Sequence, residues 1–283
     1  MSTTPLLDRL VDDAAVFPPG LAPLESAVRE HLARRTSRYA VHLGPLLVPA
    51  AAAAEVAVLA AEDERTQTDP LRVGLVCRPG SPEAQLVEAV AGLRDDDRVV
   101  VAGVEVGWSP TWRSVLELGT TVAVEVGLGH DQSRGLDEIA SAVDEDADVV
   151  AKFRTGATPT WSWPDEAALA GFIDAAVLRG LPVKLTGGLH HVTRASAEAE
   201  PAHGLLNVLL AVHEALDGAE APELAALLGV TDTEKLMERV AALTAVDASR
   251  LRRTFRGFGC CGVIEPLSEL EALGLIGPPQ ARS

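Results

Sequence analysis

Eight short apolar runs, nearly all separated by stretches with helical spacing, constrain this chain more than any other feature. The runs are Ala14 to Phe17, Pro45 to Val48, Arg72 to Cys77, Val99 to Val106, Thr121 to Val126, Val149 to Phe153, Pro182 to Leu185 and Thr254 to Phe258. Between the first two, Leu24, Ala27, Val28, His31 and Leu32 recur at helical spacing within Leu24 to Tyr39, which predicts an amphipathic helix. Further helices are predicted over Ala50 to Ala61, after the cap sequence Ser81-Pro82-Glu83 that follows Pro79-Gly80, from Ser109-Pro110 to Leu118, over Leu136 to Val143 and over Asp165 to Arg179. Gly119 and Gly180 follow two of them as helix stops. Strands alternating with helices imply parallel βαβ units. Eight such units at near-uniform spacing predict an α/β fold, the (β/α)8 TIM barrel. An open doubly wound sheet is the alternative, weakened by the lack of GxGxxG after the first strand.

The rhythm changes after the seventh run. A histidine-bearing loop from Gly187 to Pro201 is followed by helical stretches His203 to Leu216, Pro222 to Leu228 and Thr233 to Ala242. These read as a helical insertion at about 201–245 between strands seven and eight, with Leu267 to Leu273 a short closing helix. No composition shift marks a boundary, so residues 1–283 are expected to form a single barrel domain.

A 47% apolar composition in 283 residues suits a sizeable core, and a formal charge of −17 argues against a nucleic-acid or anionic-membrane surface. A local basic pocket for a small anion stays compatible with that charge. The stretch Met1 to Leu10 has no basic leader or apolar run, and no segment reaches the length of a membrane span. Three cysteines, two of them adjacent, offer no disulfide framework, so a cytoplasmic setting is expected. No CxxC or HxxxH pair suggests structural zinc, and no cofactor is implied. A homo-oligomer is left open.

In such a barrel, catalytic groups sit at the C-terminal strand ends. That gathers Cys77, Glu105, Glu125, Lys152, Arg154, Lys184, Thr186, Gly257, Gly259 and Cys260 into one ring. The lysines stand out, because the chain has three (Lys152, Lys184 and Lys235) against twenty-one arginines. Arginine serves for ion pairs but cannot give up its proton, whereas lysine can become a nucleophilic amine. Alternation along a strand puts Lys152 with Arg154 on one face, and Lys184 with Thr186. Glu105 and Glu125 are the natural counter-charges, and a purely structural Lys–Glu network is the plainer explanation. Two lysines facing one cavity repel, which favours the neutral amine in one of them.

Lys152-Phe153-Arg154-Thr155-Gly156 resembles the K-x-x-T-G of the sixth strand in class I aldolases of the deoxyribose-phosphate aldolase type. Lys184-Leu185-Thr186-Gly187-Gly188-Leu189 resembles the K-x-x-G-G-[I/V] of that family's seventh strand. The resemblance implies Lys152 as the Schiff-base lysine and Lys184 as the charged lysine that favours its neutral amine. It also implies that Gly187, Gly188 and the glycines of strand eight offer backbone N–H groups to a phosphate or carboxylate. Where the family has an acidic residue early in strand four this chain has the apolar Val101, leaving Glu105 or Glu125 to take that part. His190-His191 stand where the family has a basic residue. The chain also resembles (β/α)8-barrel proteins of bacteria and plants.

His190 and His191 are candidates for acid–base work or an anion contact at the mouth, the alternative being solvent-facing loop histidines. His203 and Asn207, four apart, could return a polar pair to the mouth; His130-Asp131 is a weaker pair after strand five. Trp161 and Trp163 fall in the loop after strand six, placed to cover a pocket. Three function classes follow. The first is a carbon–carbon lyase acting on a small anionic carbonyl compound through a Schiff base on Lys152. The second is a metal-dependent isomerase, lyase or hydrolase built on Glu105, Glu125, His130 and His190. The third is a non-catalytic barrel that binds a ligand or partner through its insertion.

Overall fold

The computed structural model describes residues 5–78, 80–158, 161–195 and 202–277. Residues 1–4, Pro79 and Pro201, which entered the reading above, lie outside that set, as does the side chain of His130. Eight strands pair in parallel and in sequence order, and the first closes on the last. They are β1 (Val11–Asp13), β2 (Leu43–Pro49), β3 (Leu71–Val76), β4 (Val99–Gly107), β5 (Val122–Glu125), β6 (Val149–Arg154), β7 (Val183–Thr186) and β8 (Phe255–Cys260). The protein is a (β/α)8 TIM barrel.

The outer layer holds α1 (Leu24–Arg34), α2 (Ala53–Glu62), α3 (Ala84–Leu93), α4 (His130–Asp144) and α5 (Glu166–Leu178). A 3-10 segment, Trp112–Leu118, covers the barrel between β4 and β5 where an α-helix was expected; Gly119 ends it at φ 67°. Between β7 and β8 run α6 (Leu205–Leu216), α7 (Ala221–Leu228), α8 (Thr233–Ala242) and α9 (Ala245–Thr254); α10 (Ile264–Ala272) closes the chain. The insertion therefore extends past the expected limit near 245. Helix α9 escaped the pattern because its sequence, AVDASRLRRT, is mostly polar and buries only Ala248 and Leu251. Its start is set by a capping box between Thr244 and Asp247. Helix α4 begins at His130, ahead of the start expected at Leu136.

The first strand is the main correction. It is Val11–Asp13, and the apolar run Ala14 to Phe17 forms the turn beyond it. Two consecutive aspartates argue against a strand unless each side of the sheet offers a cation. Here both do: Asp12 meets Lys184 inside the barrel, while Asp13 meets His31 at 3.1 Å and Arg34 at 2.9 Å on α1.

Strand alternation explains how β6 aims its lysine. Ala151 and Phe153 are wholly buried, and the Phe153 ring stacks on Phe172 of α5 at 4.7 Å, with Trp161 edge-on at 5.8 Å. With that face committed to the helical layer, Lys152 and Arg154 must point the other way, into the barrel. Helix α5 is held in place by Asp165, whose side chain accepts from the Ala168 N–H, and by buried Leu169, Ala170, Phe172, Ile173 and Ala176. The register then sets Lys152 level with Lys184 and with Glu125. Among the described residues, no helix is long and apolar enough to cross a membrane.

Phe153→Ala removes the ring that fixes this orientation. It is expected to lower unfolding stability by about 3–5 kcal/mol, the usual range for emptying a buried aromatic site, measured by chemical denaturation.

Candidate active site

Inside the barrel, three carboxylates and three cations form one connected array. Lys152 Nζ donates to Glu105 Oε2 at 2.6 Å and lies 2.8 Å from Glu125 Oε2. Lys184 Nζ donates to Asp12 Oδ2 and lies 2.7 Å from Glu105 Oε1, off the line of a hydrogen bond. Arg154 holds Glu125 through Nε at 3.0 Å and Nη2 at 3.3 Å. Glu105 thus sits between the two ammonium groups, so Lys152 and Lys184 share a pocket without facing each other bare. The charges balance along the chain Asp12, Lys184, Glu105, Lys152, Glu125, Arg154.

Exposure is graded along this array. The Lys152 side chain is 3% exposed, Lys184 13% and Arg154 27%. Arg154 is therefore the cation most open to solvent. Room for the array comes from Gly44 on β2, where a Cβ would lie 1.9 Å from Asp12 Oδ1.

Ionisation differs among the carboxylates. Burial pushes the Glu105 carboxyl up, but the charges of Lys152 and Lys184 outweigh it and pull its pKa from 4.5 to about 2. Glu125 is likewise lowered: burial opposes, and Lys152 and Arg154 win. Asp12 moves the other way, because burial outweighs the attraction of Lys184. Lys184 itself, despite burial, is carried above the ordinary lysine range by Asp12 and Glu105. Asp12 is thus the one of the three carboxylates whose surroundings favour a bound proton.

The glycine motifs serve first to join strand ends. The Thr155 hydroxyl donates to the Gly187 carbonyl, the Thr155 N–H to Thr186 O at 2.9 Å, and the Gly187 N–H to Gly259 O at 3.1 Å. The Gly187 donor is therefore already spent within the barrel, in contrast to the expected anion contact. Gly188, at φ 76°, lies under the Trp163 ring; a Cβ there would meet that ring at 2.6 Å and Thr155 O at 2.8 Å. Gly257 lies level with Lys184, where a Cβ would meet the Leu10 carbonyl at 2.6 Å; at Gly259 a Cβ would meet Leu47 at 3.1 Å and the Thr186 hydroxyl at 3.3 Å.

The other candidates lie apart. His190 contacts Glu265 at 2.5 Å, together with Cys260 and Cys261, and makes no bond to the lysine array. His191 binds Glu269 at 2.7 Å, half-exposed beside α10. Cys260 is buried, and Cys77 faces the Ser81 and Pro82 carbonyls. His203 binds the Pro164 carbonyl at 2.9 Å, while Asn207 accepts from the Arg194 N–H and donates to Leu227 O and Val230 O. That pair fastens the insertion rather than returning to the mouth. Among the described residues, no group of three or more His, Cys, Asp or Glu is arranged to hold a metal ion.

Asp12 is the member of the array that the sequence did not single out; its only signal was a second aspartate in a segment that otherwise enters the barrel. No protein-family model matches the chain, and no curated protein matches it.

Glu105→Gln strips one carboxylate from two buried ammonium groups and is expected to cost about 3–5 kcal/mol, as for a broken buried pair. Because the folded pKa of Glu105 lies below its unfolded value, its contribution is present above pH 4.5 and lost as pH falls toward about 2. That contribution is about 3 kcal/mol. Asp12, with its raised value, gives a slope of opposite sign, so the comparison to make is between variants. Urea unfolding across acidic pH should show a steeper loss of stability in the unmodified protein than in Glu105→Gln.

Proposed function

We propose that this barrel is a carbon–carbon lyase of the aldolase kind, forming a Schiff base between Lys152 and a small anionic carbonyl compound. The observation that carries the reading is the pair of rare lysines, level with each other on adjacent strands and bridged by one buried carboxylate. A network built only for stability is poorly served by buried ion pairs, whose desolvation offsets their attraction.

Chemistry follows from the order of the array. Lys152 is paired in the resting site and must become a neutral amine before it attacks. An anionic group of the substrate meets Arg154 first and competes with Glu125 for its guanidinium. Glu125 then loses one of the two cations that hold its pKa down and becomes a better acceptor for the Lys152 proton, 2.8 Å away. The amine adds to the carbonyl carbon; the carbonyl oxygen leaves as water, and a cationic imine remains on Lys152. A base then takes the proton of the substrate's β-hydroxyl. The C–C bond breaks, its electron pair entering the imine to give an enamine, and the first carbonyl product departs. Protonation of the enamine and hydrolysis release the second product and restore Lys152. Asp12 is the proton holder in this scheme, because burial keeps its pKa up, and Lys184 links it to Glu105. Free cysteines at 77, 260 and 261 suit a reducing, cytoplasmic setting.

Borohydride added with a panel of small aldehydes and keto acids should fix a reduced adduct on Lys152, located by mass spectrometry. Adduct-free Lys152, with turnover surviving in Lys152→Arg, would end the proposal. Asp12→Asn should still trap the adduct while lowering kcat by about 100-fold, the scale of one acid–base group.

A further inference from the structure

At the end of β8, outside the lysine array, a thiol, an imidazole and a carboxylate stand in line. The Cys261 sulfur lies 3.5 Å from His190 Nε2, and His190 Nδ1 lies 2.5 Å from Glu265 Oε2. The imidazole therefore bridges thiol and carboxylate through its opposite nitrogens, the relation in which a histidine takes a nucleophile's proton while a carboxylate fixes its tautomer. Each part is held by the fold. Glu265 lies in the first turn of α10, and its reach back depends on Gly262, where a Cβ would come 2.8 Å from the carboxylate. Gly20, in the turn after β1, leaves room for Cys261, whose Cβ would lie 3.0 Å from a Cβ placed there. Cys261 is partly exposed, so a small reagent can reach it, and it lies just ahead of α10. Its neighbour Cys260 is buried, and burial holds that thiol protonated. Hydrogen bonding to Cys260 and Cys261, with Glu265 behind, pushes the His190 pKa upward.

We propose that Cys261 is an activated thiol nucleophile, with His190 as its base and Glu265 as the orienting group, and that it captures small aldehydes reversibly at the barrel rim. In the capture step a sulfur lone pair forms the C–S bond. The carbonyl π pair moves to oxygen, and the proton held on His190 is delivered to that oxygen, giving a hemithioacetal. Reversal returns the aldehyde and the thiol, so no oxidant or co-reactant enters. Activation of the thiol stands independently of Lys152; only the choice of aldehydes rests on the carbonyl reading above.

The test is alkylation of the full chain by iodoacetamide at neutral pH, where sulfur displaces iodide and the thiol proton stays on His190, followed by mass spectrometry of each cysteine. Cys261 should react first, about tenfold or more faster than in His190→Gln and measurably faster than in Glu265→Gln. Buried Cys77 reports folding: a variant that unfolds exposes it to alkylation, and the exposed-site change Glu265→Gln then carries the comparison. Glycolaldehyde, added in a Lys152→Arg background so that the Schiff-base lysine is absent, should slow the labelling of Cys261. Rates at Cys261 that agree within about twofold between the unmodified chain and both variants would overturn the activation. Labelling unaffected by glycolaldehyde would overturn the aldehyde capture.

Discussion

One carboxylate, Glu105, is what allows two lysines to occupy the same buried space. Two ammonium groups brought out of water into one pocket would repel and leave their desolvation uncompensated. With an oxygen of Glu105 turned toward each, and with Asp12 and Glu125 at the two ends, the repulsion becomes a chain of alternating charge. Each lysine is held between two carboxylates, and Arg154 closes the chain on Glu125. The same arrangement explains why the three carboxylates differ: Glu105 and Glu125, each between two cations, are drawn down, and Asp12, beside a single lysine, is governed by burial.

The barrel wall supplies the geometry this array needs. Phe153 is committed to α5, Asp13 to α1, and both commitments aim the neighbouring residue, Lys152 or Asp12, at the interior. Beyond the lysines, Thr155 and the glycines at 156, 187 and 188 lock the ends of β6 and β7 together and seat Trp163 above them. The glycine motifs thus have a packing reason as well as any part in binding, and a short motif of this kind is explained first by the close approach of two strand ends.

Much of this was legible in the sequence, for identifiable reasons. The alternation of apolar runs and helical periods carried the barrel, and the scarcity of lysine singled out Lys152 and Lys184 where strand periodicity alone could not. Glu105 and Glu125 followed from facing strands. Asp12 did not, because a strand written Val-Asp-Asp looks like a loop until its two cations, Lys184 and Arg34, are known, and those lie 172 and 21 residues from the aspartates they meet. Glu265 was missed for a similar reason: its partner His190 lies 75 residues earlier. His190 was legible as a candidate but not in its partners, and His203 and Asn207, expected at the mouth, fasten the insertion instead, since contacts made by long loops carry no periodic signal. Helix α9 was hidden because its sequence is mostly polar and buries only Ala248 and Leu251.

With only three lysines in the chain, their side chains can be observed one by one. The most direct test is NMR of protein labelled with carbon-13 at lysine Cε, each signal assigned by its Lys→Arg variant, before and after Glu105→Gln. If one carboxylate serves both ammonium groups, the substitution moves the Lys152 and Lys184 signals together and leaves exposed Lys235 in place. A shift confined to one of the two would contradict the shared carboxylate on which the proposed site rests.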